Sequence, residues 1–105
     1  MATTRPYKDF LLERLKDPKA AVGYLNAVIE DTRDGSEESQ KVLLLALRNI
    51  AEAQGGITQL AERTGLGRES LYKTLSSKGN PRLDTLTTLM SGLGFDLKAE
   101  LSSKR

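Results

Sequence analysis

Hydrophobic positions along this chain recur at helical spacing until residue 94, and then the period changes. Phe10, Leu11 and Leu15 fall on one side of a helix expected over 7–16. Ala21, Tyr24, Leu25, Val28 and Ile29 follow the i, i+3, i+4 rule of a second helix over 18–32. Asp17 is placed to cap that helix, and Pro18 suits its first position. Asp34-Gly35 reads as a turn. Ser36 then caps a third helix, running to about residue 54, with Glu37 and Glu38 near its positive end. Val42, Leu43, Ala46, Leu47, Ile50 and Ala51 mark its apolar face, and Leu44 and Leu45 widen the stripe. A wide stripe belongs to a helix with neighbours on more than one side, so this one is expected to be central. Gly55-Gly56 stops it. Three shorter helices are expected over 58–64, 68–76 and 83–93, the last ended by Gly94.

From Phe95 the apolar residues alternate: Phe95, Leu97, Ala99 and Leu101 against Asp96, Lys98 and Glu100. That is strand spacing. No second alternating run exists to pair with it, and a lone strand leaves a row of backbone groups without partners. The same strand of a second chain, antiparallel across a two-fold axis, would solve this, which predicts a homodimer with Phe95, Leu97, Ala99 and Leu101 at the interface. A loosely ordered tail, or a different pairing partner, is the other reading. The expected organisation is an all-α, five- to six-helix domain over 7–94, preceded by a flexible arm at 1–6. The strand over 95–101 and a tail at 102–105 follow it.

Composition narrows the chemistry. The 105 residues include no cysteine and no histidine. This excludes a disulfide framework, a thiolate nucleophile, thiolate or imidazole metal ligands and a histidine general base. We expect no metal, no cofactor and no enzyme. Ser70-Leu-Tyr-Lys73 matches the S-x-x-K of serine acyl-enzymes, but its companion motifs are absent and the chain is too short for that architecture. Gly92-Leu-Gly94 leads from a helix into a strand, the reverse of a dinucleotide-binding loop. No apolar stretch reaches membrane-spanning length, and the first residues do not read as a secretion signal, so a cytoplasmic location is expected.

Net charge is +2, unevenly spread. Residues 58–82 contain Arg63, Arg68, Lys73, Lys78 and Arg82 against only Glu62 and Glu69. A local basic excess suits a phosphate backbone, although an ordinary soluble surface can carry as much. The same stretch holds the most informative spacing in the chain. Two short helices meet at Gly65-Leu66-Gly67. Ala61 is small where a second helix must approach, Gly65 stands where the chain turns sharply, and Leu71 lies six residues further on. This is the spacing of a helix-turn-helix over 58–76. With Leu71 and Leu75 inward, Glu69, Tyr72, Lys73 and Ser76 point outward and Arg68 lies at the edge. Arginine and lysine can bond guanine or phosphate, tyrosine can pack on a thymine methyl, and glutamate can accept from a cytosine amine. Thr58 and Gln59 at the start of the first helix, and Lys78 and Asn80 in the loop after the second, complete the candidate DNA contacts. The plainer reading of each is a solvated helix face or turn.

Ala53-Gln-Gly-Gly-Ile-Thr-Gln-Leu-Ala, Thr64-Gly-Leu-Gly-Arg-Glu-Ser-Leu-Tyr-Lys and Gly79-Asn-Pro-Arg-Leu-Asp-Thr-Leu carry a resemblance. From Ala46 to Gly94 the chain resembles the Cro/repressor-type, lambda-repressor-like helix-turn-helix fold. More narrowly, with Tyr24-Leu-Asn-Ala and Leu44-Leu-Ala-Leu-Arg upstream, it resembles the addiction-module antidote family, the HigA-like antitoxins. The resemblance implies a cytoplasmic antitoxin that silences a RelE-like ribonuclease toxin and represses its own operon by binding double-stranded operator DNA. It maps DNA reading onto Gly67, Arg68, Glu69, Tyr72 and Lys73. Gly67 departs from the Ser or Thr that often opens the recognition helix there.

A ribonuclease presents a basic surface, so an acidic patch is the complementary docking face. Glu30, Asp31, Asp34, Glu37 and Glu38 cluster around one loop, opposed by Arg33, and are the candidate toxin contacts. A solvated loop with favourable helix-end charges is the plainer alternative. Two further functional classes stay open: a stand-alone repressor without a toxin, and an inhibitor that binds protein only.

Overall fold

The computed structural model describes residues 5–102. It holds six helices and no strand among those residues. They are α1 (Arg5–Arg14), α2 (Pro18–Asp31), α3 (Glu37–Ala53), α4 (Gly56–Thr64), α5 (Arg68–Thr74) and α6 (Leu83–Gly92).

Local chemistry sets most of these boundaries. Asp17 caps α2, its side chain accepting from the Lys19 N–H at 3.1 Å. Ser36 caps α3, accepting from the Ser39 N–H at 3.1 Å. The α4–α5 corner is made by Gly65, whose φ of +76° closes α4 through its N–H donating to the Ala61 carbonyl at 2.9 Å. An L side chain rarely adopts that conformation, so glycine answers a backbone demand here. The Thr64 hydroxyl ties the same corner, donating to the Leu60 carbonyl (2.8 Å) and accepting from the Leu66 N–H (3.2 Å).

Helix α3 is the hub, as its wide apolar stripe predicts: it packs on α1, α2 and α4, and α4 in turn packs on α5 and α6. The core draws Leu15 from after α1, Leu25 from α2, Leu47 and Ile50 from α3, Leu60 from α4, Leu71 from α5 and Leu89 from α6. Leu66 plugs the corner against it. Asn49, buried on α3, donates to the Tyr24 hydroxyl at 3.3 Å, so its polar end is satisfied across the α2–α3 contact.

Several expectations are corrected. The segment 95–101 forms no strand. Phe95 packs partly into the core and its N–H donates to the Met90 carbonyl at 2.8 Å. Leu97, Ala99 and Leu101 are all exposed, so the alternation is not converted into a buried and a solvent face. A single strand needs a neighbouring ladder, and the described residues offer none. The segment instead runs beside α2, where the Arg33 guanidinium donates to the Ser102 hydroxyl at 2.8 Å. Arg5 and Pro6, expected in the arm, begin α1, because proline is tolerated in a first helical turn. The rest of the expected arm (1–4) and tail (103–105) lie outside the described residues. Helix α5 ends at Thr74, two residues before the expected 76. Phe10, Ile29, Val42 and Leu45, assigned inward from periodicity, are exposed.

Candidate functional site

The outward face of α5 is the centre of the candidate site. Leu71, fully buried, and Leu75 anchor the helix to the core. That fixes its rotation, and Arg68, Glu69, Tyr72 and Lys73 are exposed, as the 100° spacing predicts. Ser76 is half-buried instead, with its hydroxyl turned back to the Lys73 carbonyl at 2.7 Å. Gly67 caps α5 without a side-chain hydrogen bond, so the departure read from the sequence leaves the first N–H groups of α5 uncapped by it. Thr58 and Gln59 are exposed on α4, and the Gln59 side chain accepts from the Arg63 guanidinium at 2.7 Å. Arg63 also reaches the Gly92 carbonyl on α6, at 3.5 Å.

The side of α3 that carries Lys41, Leu45 and Arg48 lies beside α5 and the loop that follows it. Residue spacing alone does not reveal this relationship. Arg48 stands over the Tyr72 ring, 5.9 Å from its centroid, and bonds Glu52 at 3.3 Å. Glu52 also pairs with Lys8 of α1 at 3.4 Å. Lys41, Val42, Leu45 and Arg48 line a shallow groove with Leu75, Ser76 and Ser77. Further toward the α3 N-terminus, Gln40 and Lys41 share a depression with Lys78 and Asn80. The spacing of 41, 45 and 48 does place them on one helix face, but sequence alone cannot say which helix that face meets. Asn80 does not cap α6: the cap residue is Arg82, and the Asn80 side-chain oxygen accepts from Gln40 at 3.3 Å.

The acidic cluster sits at the α2–α3 corner, on the other candidate surface. Glu30 and Asp31 end α2, Asp34 lies in the link, and Glu37 and Glu38 open α3; all five are exposed. Their individual duties differ. Asp34 is a structural residue: its carboxylate accepts from the Ser39 hydroxyl, the Ser36 N–H and the Ser36 hydroxyl. These bonds favour the ionised form and hold its pKa below the ordinary value. Glu30 pairs with Arg33 (3.5 Å), and Glu38 with Lys41 (3.8 Å). No group of His, Cys, Asp or Glu that could hold a metal ion exists among the described residues. No helix of those residues is long and apolar enough to cross a membrane.

Comparison with known families gives this surface a context. The profile of a family described as "probable addiction module antidote protein" matches residues 8–101. The chain belongs to that antidote family. A Haemophilus influenzae relative, described as uncharacterized, is 33% identical over 100 residues, spanning 94% of this chain and 96% of the relative. No solved structure matches significantly. An addiction module antidote has a cognate toxin as its partner, and the family is not an enzyme family. The match spans α2 through α6 and α1 from Lys8 onward, so the N-terminal helices are part of the family's common chain.

Proposed function

We propose that this protein is a DNA-binding antitoxin: it neutralises a RelE-like ribonuclease toxin and represses its own operon from the cytoplasm. The carrying observation is the α5 face. Arg68, Glu69, Tyr72 and Lys73 project from a short helix held by Leu71 and Leu75, across a tight glycine corner from α4. The α4–α5 pair reads as a helix-turn-helix in a lambda-repressor-like domain, and α5 as its recognition helix. Arg68 and Lys73 supply charge and donors for guanine or phosphate, Tyr72 supplies a flat apolar contact, and Glu69 rejects bases that offer it no donor. Thr58, Gln59, Gly67, Lys78 and Asn80 flank this face as backbone contacts.

A homodimer would place two such helices about 34 Å apart on successive half-sites. A second copy along 95–101 would cover Leu97 and Leu101, which one chain leaves exposed. The acidic corner of Glu30, Asp31, Glu37 and Glu38 complements a basic toxin surface. Asp34 shapes that corner through its serine bonds.

The test is a gel-shift titration with the DNA upstream of the reading frame, at two salt concentrations, with Arg68→Ala in parallel. Salt-sensitive, sequence-specific binding that the substitution weakens is the expected result. Its absence at either salt would leave an antidote that acts on protein alone. Co-purification with the product of the neighbouring reading frame tests the toxin half.

A further inference from the structure

We propose that Gln40 of α3 is a positioning residue that turns Asn80 into a donor for a DNA backbone phosphate; this rests on the DNA-binding reading above. Both side-chain hydrogen bonds of Gln40 go to the loop after α5. Its amide nitrogen donates to the Gly79 carbonyl at 3.2 Å and to the Asn80 Oδ1 at 3.3 Å. That amide nitrogen carries two hydrogens, one for each acceptor. Asn80 has one acceptor end and one donor end. Holding Oδ1 against Gln40 turns Nδ2 the other way, and among the described residues Nδ2 donates to no protein group. Phosphate oxygens accept hydrogen bonds, so the orientation Gln40 selects is the useful one.

The loop packs closely against the end of α5 at this position. A β-carbon on Gly79 would collide with the Thr74 carbonyl oxygen and lie 3.2 Å from the Leu44 side chain. The backbone is therefore seated on the end of α5 at a distance only glycine permits, and Asn80 keeps a fixed offset from the recognition helix. Lys41 and Lys78 line the same depression, of about 410 Å³, and supply cations on either side. Glu37 also lines it, and Lys41 pairs with Glu38 at 3.8 Å, so the two cations are offset by two carboxylates and the directed donor matters more.

The experiment is a double-mutant cycle on operator affinity, using the full chain and fluorescently labelled upstream DNA at two salt concentrations. Gln40→Ala and Asn80→Ala are each expected to weaken binding about fivefold, the worth of one hydrogen bond. The double variant is expected to be no weaker than Asn80→Ala alone. Neither removes a cation, so the salt slope stays unchanged, whereas Lys78→Ala reduces it by about one. Gln40→Met keeps the length and neutrality but loses the donor, and is expected to behave like Gln40→Ala if the alanine variant folds poorly. Independent, multiplying losses, or full affinity in both Gln40 variants, would overturn the proposal while leaving DNA binding intact. A wild type that binds no operator, at either salt, would overturn the DNA-binding reading and this proposal with it.

Discussion

The Arg48 guanidinium lies over the Tyr72 ring, 5.9 Å from its centroid, and joins α3 to the exposed face of α5. Tyr72 is therefore a positioned side chain, held on one side by a cation that Glu52 and, through it, Lys8 keep in place. A partly exposed cation–π contact contributes about 0.5–1 kcal/mol. Arg48→Met is expected to lower stability by about that amount in the wild type, and by much less in a Tyr72→Leu background. Urea titrations of the four proteins measure the coupling; equal losses in both backgrounds would show that the contact contributes nothing.

Leu71 is fully buried beneath the α5 surface. Leu71→Ala removes three carbons from a packed site and is expected to cost about 2–5 kcal/mol. Because α5 has seven residues and little intrinsic stability, the substitution should also loosen the helix that carries Arg68 and Lys73. Thermal melts report the first effect, and amide exchange across 68–74 the second. A loss below 1 kcal/mol would place Leu71 outside the core.

Gly65 and Gly79 are both required, for different reasons. Gly65 has open space around its missing β-carbon but a φ of +76°, so Gly65→Ala is expected to cost about 1 kcal/mol and Gly65→Asn less. Gly79→Ala meets the Thr74 carbonyl oxygen and must move the loop. Its larger penalty should show as a lower melting temperature and shifted resonances at Lys78 and Asn80. Equal tolerance of alanine at both positions would contradict the geometry.

Asp34 sets an acid limb on stability. The hydroxyl of Ser39, and the N–H and hydroxyl of Ser36, hold its pKa below the ordinary 3.8. A depressed carboxylate stabilises the fold fully above the unfolded-state value, and that contribution fades as pH falls through the folded-state value. The stability difference between wild type and Asp34→Ala should thus be constant from pH 7 to about 5, and shrink below 3.8. Urea midpoints across that range would show it; a difference that is the same at pH 3 as at pH 7 would contradict the bonds.

In the proposed homodimer Leu97 is covered by the second copy, so Leu97→Asp places a charge in the contact and is expected to separate the chains. Sedimentation should then find the wild type at twice the chain mass and the variant at once. A dimer that survives the substitution would move the interface elsewhere.

Features decided within a turn or two of helix are legible in the chain before it folds. Asp17 and Ser36 cap where capping chemistry says they should, Gly65 takes the left-handed corner, and Leu71 and Leu75 set the rotation of α5. Each rests on neighbours three or four residues away, so the pattern is legible without a fold. Much of the candidate α5 face followed from the same rule, Ser76 excepted. Tertiary structure decided everything that depends on which faces meet. Periodicity gave Val42 and Leu45 to the core, but α3 has more apolar positions than its neighbours cover, so those two stay exposed beside α5. Strand spacing at 95–101 produced no strand, because a ladder needs a partner and α2 offers only side chains. Arg48 with Tyr72, and Gln40 with Asn80, are 24 and 40 residues apart. Only the packing of α3 beside α5 brings them together, because side chains that far apart in the chain meet only once the core has fixed both helices.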